Sequence, residues 1–273
     1  MCDINRCGSD TDLPAVEVDP ESRRLFLQRA MTLPLASVLA WPELSRAAAE
    51  SLETVSIEVG GETVSAALAM PDTGPAPAVI LIHEWWGLND QIKSVAAELA
   101  NLGYVALAVD LYGGSVATTA DSAQNLMGKV SAERATATLN GWNAWLRANK
   151  NVTGKIGTVG WCFGGGWSLQ ASLSAPVEAT VVYYGNVAVG AGDLANLEGP
   201  LLGHFATKDG WINKPMVSGF ESAMAEAGKA DGLTVHWYEA DHAFANPSSA
   251  RYDAHDAALA WQRTTAFFDE HLR

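Results

Sequence analysis

The chain has 273 residues, 48% hydrophobic and 18% charged, with 31 Asp and Glu against 17 Lys and Arg for a formal net charge of −14. That balance is too apolar for intrinsic disorder, and the chain is long enough to bury one sizeable core. The negative surface opposes nucleic-acid backbones and anionic lipid, three cysteines cannot staple a disulfide scaffold, and no run nears the roughly 20 apolar residues of a membrane-spanning helix.

The N-terminal stretch reads as an address. Ser22-Arg23-Arg24-Leu25-Phe26-Leu27 precedes a short apolar run from Met31 to Trp41 and the small residues Ala47-Ala48-Ala49. A basic pair, an apolar segment too short to span and a small-residue cleavage site form the layout of an export signal. Ser-Arg-Arg-x-Phe-Leu resembles the twin-arginine type, which exports folded proteins. The expectation is a removable leader over residues 1–49, read by the twin-arginine machinery through residues 22–49. It would deliver residues 50–273 as a single, monomeric, periplasmic or exported domain. The plainer alternative is an amphipathic helix packed on a cytoplasmic protein. Cys2 and Cys7 fall in the leader without an assigned role, which leaves Cys162 as the one cysteine of the domain.

Beyond the leader, Val55–Val59 and Val64–Met70 alternate apolar and polar residues around Gly60-Gly61, a pattern that predicts an edge hairpin. The pattern then changes to continuous apolar runs, at Ala78–Ile82, Tyr104–Val109, Ile156–Gly160, Ala179–Tyr184, Leu201–Ala206 and Thr234–Tyr238. Such runs suit strands buried on both faces of a mostly parallel sheet. Helical stretches intervene at Asp90–Leu102, with Asp90 as cap, and at Ser122–Asn149, Phe163–Leu173, Lys214–Ala227 and Tyr252–Leu272. The alternation predicts a doubly wound α/β sheet with helices on both faces. Gly185–Pro200 reads as a long loop over the site.

Gly160-Trp161-Cys162-Phe163-Gly164 lies between a predicted strand and a predicted helix. This is the form of a nucleophile elbow, with cysteine at the position serine usually fills and small residues where the strand and helix backbones cross. The helix N-terminus there favours thiolate over thiol. A phosphate-binding turn is the rival, but Gly-Lys-Ser/Thr is missing and Trp161 and Phe163 are bulky. Asp209 and His242 follow later predicted strands, where parallel sheets bind ligands. His242 is placed to take the thiol proton and Asp209 to orient the ring, with Asp241 as competitor for the acid role. At the end of the first parallel strand, His83-Glu84-Trp85-Trp86-Gly87 offers the Trp85 amide to pair with that of Phe163 in an oxyanion hole. A zinc reading of His83-Glu84 fails because a second histidine would be needed where Gly87 stands. Neither a metal nor a cofactor is expected.

Cys162, Asp209, His242 and Glu84, with Asp110-Leu111-Tyr112 and His242-Ala243-Phe244, together resemble the dienelactone hydrolase family of α/β-hydrolases across the whole domain. The resemblance implies an α/β-hydrolase fold in which Cys162 is the nucleophile, His242 and Asp209 complete a triad, and Glu84 helps form the thiolate when substrate arrives. It implies a small ester or lactone as substrate and an acyl-thioester intermediate. The family's substrate-binding arginines are missing: Asn246 stands four residues after His242, and Gly113-Gly114-Ser115 follows the Asp-Leu-Tyr segment. A substrate carboxylate would lose charge-assisted pairing at those places, so dienelactone is not the expected preferred substrate. Trp86, Trp211 and Asn246 are the expected substrate contacts, with Arg251 as a candidate substitute for the missing charge. The rivals from other classes are a non-catalytic small-molecule binding protein on the same scaffold and a cysteine peptidase.

Overall fold

A computed structural model describes residues 48–50 and 52–273; the expected leader, apart from Ala48 and Ala49, lies outside the described residues. The strands are β1 (Glu53–Val59), β2 (Glu62–Ala69), β3 (Ala76–Ile82), β4 (Val105–Val109), β5 (Val152–Trp161), β6 (Ala179–Tyr183), β7 (Leu201–Ala206) and β8 (Leu233–Tyr238). The helices are α1 (Asp90–Asn101), α2 (Ala120–Gly128), α3 (Ala132–Ala148), α4 (Phe163–Ser174), α5 (Ala191–Leu194), α6 (Lys214–Glu226) and α7 (Ala254–Leu272). Among the described residues no helix is long and apolar enough to cross a membrane.

The strands form one sheet in the order β1-β2-β4-β3-β5-β6-β7-β8. The β1–β2 hairpin is antiparallel and lies at the edge, as expected, with Gly60 and Gly61 at φ 60° and 82° in its turn. These angles suit the primed turns that follow strand twist. β2 pairs antiparallel with β4, and every pairing from β4 to β8 is parallel. The fold is therefore the doubly wound, mostly parallel α/β-hydrolase sheet that the strand pattern predicts.

The continuous apolar runs serve two cores at once. Along β3, Val79 and Leu81 pack with Val95 and Leu99 of α1 and Phe268 of α7, while Ala78, Ile80 and Ile82 pack on the opposite face with Leu139 and Trp142 of α3. A third core gathers Leu169 of α4, Phe205 of β7 and Phe220 of α6. Each fully buried branched aliphatic contributes roughly 1.5–3 kcal/mol of transfer free energy, and this drives the layering.

Three expectations are corrected. The cap of α1 is Asn89, whose Oδ1 accepts from Ile92 N–H, rather than Asp90, which lies within the first turn. The stretch 122–149 is two helices: α2 ends at Gly128, and Ser131 starts α3 by accepting from Arg134 N–H. The long loop at 185–200 holds the single turn of α5, with Leu194 fully buried.

Candidate active site

The chain runs outward from β3 to β4 in one direction and from β5 to β8 in the other, so the strand order reverses between β3 and β5. Their carboxyl ends diverge there and leave a crevice. Glu84 follows β3, Cys162 follows β5, Asp209 follows β7 and His242 follows β8.

Cys162 is placed by its turn. Its backbone is held at φ 54°, ψ −115°, with its N–H donating to Tyr183 O at 3.0 Å. A side chain at Gly160 would meet Gly164 O at 1.9 Å, and one at Gly164 would meet Ile82 O at 2.2 Å. The Gly-x-Cys-x-Gly spacing is thus enforced by backbone contact, as an elbow requires. The surrounding structure holds a positive φ that a non-glycine residue would otherwise avoid. The Cys162 sulfur is 3.1 Å from His242 Nε2, and His242 Nδ1 is 2.6 Å from Asp209 Oδ2. Asp209 Oδ1 in turn accepts the N–H groups of Trp211 and Ile212 at 2.8 and 3.0 Å. Burial pushes the Asp209 carboxyl up, but hydrogen bonds from His242 and the Trp211 backbone outweigh it and hold the group below the ordinary aspartate range. Asp241, the competitor, is exposed, and the carboxylate on His242 Nδ1 is that of Asp209.

Glu84 is 4% exposed and stands at the same site. Its Oε1 accepts from the Tyr184 hydroxyl at 3.3 Å and its Oε2 from the Asn246 amide. Burial pushes Glu84 up to about 7, although the Asn246 bond and the neighbouring His242 draw it down. Cys162 departs from the expectation set by its helix terminus. Burial first, and the Glu84 charge second, push the thiol up to about 12, and the Phe163 N–H bonded to the sulfur reverses this only in part.

Of the remaining expected residues, Trp85, Trp86, Phe163, Trp211, Asn246 and Arg251 all line one cavity of about 950 Å³ with Glu84, Cys162 and His242. Asn246 is 3% exposed and holds Glu84, while its Oδ1 accepts from Ser248 N–H at 2.8 Å, so its first partner is the carboxylate rather than a ligand. His83 is fully buried, with Nδ1 2.6 Å from Glu84 O and Nε2 accepting from Leu111 N–H at 3.2 Å. Both nitrogens brace the strand end and neither is left for a metal.

Tyr184 was not singled out in the sequence, and Tyr112 was noted only within the Asp110-Leu111-Tyr112 segment, without a role of its own. Tyr184 sits at φ 36° just before Gly185, bonds Glu84 and packs edge-on to His242 with ring centroids 5.1 Å apart. Tyr112 donates to Trp85 O at 3.1 Å and so braces the proposed oxyanion loop. A tyrosine ending a buried run beside a glycine was the available signal for Tyr184.

Comparison with known proteins finds relatives along most of the chain. Protein usf of Aquifex pyrophilus is 31% identical over 234 residues, 81% of this chain and 99% of that one. Carboxymethylenebutenolidase of Pseudomonas putida is 29% identical over 231 residues, 79% and 95% of the two chains. A solved structure from Klebsiella pneumoniae subsp. pneumoniae MGH 78578 superposes with a TM-score of 0.72 at 27% identity, over 81% of this chain and all of that one. The dienelactone hydrolase of Anabaena variabilis ATCC 29413, 23% identical with a TM-score of 0.59 over 82% and 99%, shares the fold. The dienelactone hydrolase family matches residues 64–272, from β2 to the end of α7, and the chain belongs to that family and is a hydrolase.

Proposed function

We propose that the protein cleaves the ester bond of a lactone or carboxylic ester with Cys162 as nucleophile, through an acyl-thioester. The observation that supports this most directly is the line of contacts from the Cys162 sulfur to His242 at 3.1 Å and on to Asp209 at 2.6 Å, opening on the cavity. The relatives named carboxymethylenebutenolidase favour the same bond type.

In this reading the Cys162 proton passes to His242 Nε2 as the sulfur bonds to the substrate carbonyl carbon. The carbonyl electrons move to oxygen, and the Trp85 and Phe163 N–H groups hold the oxyanion. His242 returns the proton to the departing alkoxide oxygen as the C–O bond breaks. Water, deprotonated by His242, then attacks the thioester and releases acid and thiol. Asp209 stabilises the imidazolium throughout. Glu84 acts on the sulfur through its charge, which keeps the proton on Cys162 until substrate displaces the balance. Export through the leader and its removal after Ala49 belong to the same proposal; a Met1 start on protein recovered from the periplasm would overturn the removal, and protein confined to the cytoplasm would overturn the export.

The test is hydrolysis of dienelactone, a neutral lactone and a p-nitrophenyl ester by the protein and its Cys162→Ala variant. Turnover is expected to fall at least about a thousandfold in the variant, as when a nucleophile is removed from a triad. Mass spectrometry of the quenched wild-type reaction should find the acyl group on Cys162. Unchanged turnover in the variant would refute the mechanism.

A further inference from the structure

We propose that Arg251 and Trp211 form an anion-binding shelf at the mouth of the cavity, and that the preferred substrate is an ester with a bulky planar apolar body carrying a carboxylate that docks on Arg251. This rests on the hydrolase reading above and names its substrate class. Among the described residues, Arg251 is the one Lys or Arg that lines the cavity. Its guanidinium lies 5.5 Å from the Trp211 ring centroid, and the Trp211 ring is 5.2 Å from that of His242. The shelf therefore leads from solvent to the reacting groups. Trp211 is 63% exposed, so its ring is open to a ligand entering from solvent.

The charge of Arg251 is not consumed elsewhere. Arg134, Arg147 and Arg273 each pair with a carboxylate, whereas among the described residues none lies within ion-pair distance of Arg251. Its field reaches the site, where it draws both Glu84 and Cys162 down. In a chain of net charge −14, one unpaired cation at the mouth of an acidic site selects for anions by attraction there and repulsion around it. Stacking on Trp211 holds the guanidinium plane in place for a bidentate carboxylate. The position is separate from 246 and 113–115, which hold no cation.

The size of the body follows from the cavity. At about 950 Å³ it lies at the upper end of sites for drug-sized ligands and far exceeds a five-membered lactone. Trp85 and Trp86 meet edge-to-face at 5.0 Å, and Phe163 and Trp167 at 6.2 Å, giving aromatic walls suited to a flat apolar group.

The test compares 6-carboxy-2-naphthyl butyrate with its carboxamide isostere, by kcat/KM, in wild type, Arg251→Gln and Arg251→Lys. Loss of the Arg251 charge also acts on the sulfur, so the ratio between the two esters is the readout. Wild type should favour the carboxylate by about fivefold, near the limit for a solvent-exposed ion pair. The ratio should fall to about one in Arg251→Gln, be partly kept in Arg251→Lys, and shrink as salt is raised. The same ratio in wild type and Arg251→Gln, or no preference in wild type, would overturn the proposal. Binding of 6-carboxy-2-naphthol and its carboxamide to Cys162→Ala, followed by tryptophan fluorescence, gives the same comparison without turnover. The shelf thus stands or falls apart from the cysteine mechanism, which fails only if hydrolysis of the neutral ester survives in Cys162→Ala.

Discussion

Cys162 occupies the N-terminus of α4, where peptide dipoles favour an anion, and yet its environment keeps the proton on. Desolvation disfavours the thiolate, and the Glu84 carboxylate, brought in from the end of β3, adds like charge. Replacing Glu84 by Gln removes that charge while keeping the side chain's shape. The Cys162 pKa is then expected to fall, so iodoacetamide at pH 8 should alkylate the Cys162 peptide faster in Glu84→Gln than in wild type, as resolved by mass spectrometry. An equal or slower rate would show that Glu84 does not govern the sulfur. The residues of the site were legible in the sequence because Cys162, Asp209 and His242 each follow an apolar strand run. The protonation of the sulfur was not, because it depends on Glu84, 78 positions away in the chain, and on burial that only the folded cavity creates. The bond from Asn246 to Glu84 was likewise not legible, because it joins residues 162 positions apart.

The elbow is an element whose geometry makes opposite demands on neighbouring glycines. A Cβ at Gly164 would lie 2.2 Å from Ile82 O and 2.5 Å from His83 O, both backbone atoms that cannot rotate away. At Gly166, two residues on and inside α4, the nearest atom is Asn186 O at 3.4 Å, an ordinary contact. Gly164→Ala is therefore expected to destabilise by about 3 kcal/mol or more, as overpacking against fixed backbone does, and to displace the sulfur. Gly166→Ala should be neutral or stabilising by up to about 1 kcal/mol, from helix propensity. Urea unfolding of both variants checks this, and a Gly164→Ala protein as stable as wild type would show that the strand-to-helix crossing can relax. The strand and elbow were readable because both-face burial and backbone crossing leave few residue choices. The break between α2 and α3 was missed because Gly128 and Ser131 are permitted within helices, and only the hydrogen bond from Arg134 N–H to Ser131 makes the new start evident.

At the scale of the whole molecule, the site's charge arrangement is set against the stability of the fold. Glu84 has a folded pKa of about 7 against an ordinary 4.5. Between those values the native protein keeps a proton that the unfolded chain has released, so this group's contribution falls as pH rises through the window. Above pH 7 the loss is complete, at roughly 3 kcal/mol. His83 and His204 act the other way. Burial lowers both below the ordinary 6.5, so the unfolded chain takes up protons first and stability falls as pH drops below about 6.5. His204 is fixed in this neutral state between Tyr238 Oη at 2.8 Å and Thr264 Oγ1 at 3.0 Å, beneath the sheet's carboxyl end. The two effects overlap between pH 4.5 and 6.5 and offset one another there, which flattens the wild-type profile. Glu84→Gln removes one of them. The variant should melt several degrees above wild type at pH 8, with the gap narrowing steadily as pH falls toward 4.5, because only the wild-type carboxylate regains its proton on the way down. Its own stability should drop more steeply than wild type's over the same interval, since the buried histidines then act unopposed. Thermal unfolding of the two proteins across pH 5 to 8 checks both statements, and a gap independent of pH would show that Glu84 does not titrate in that range.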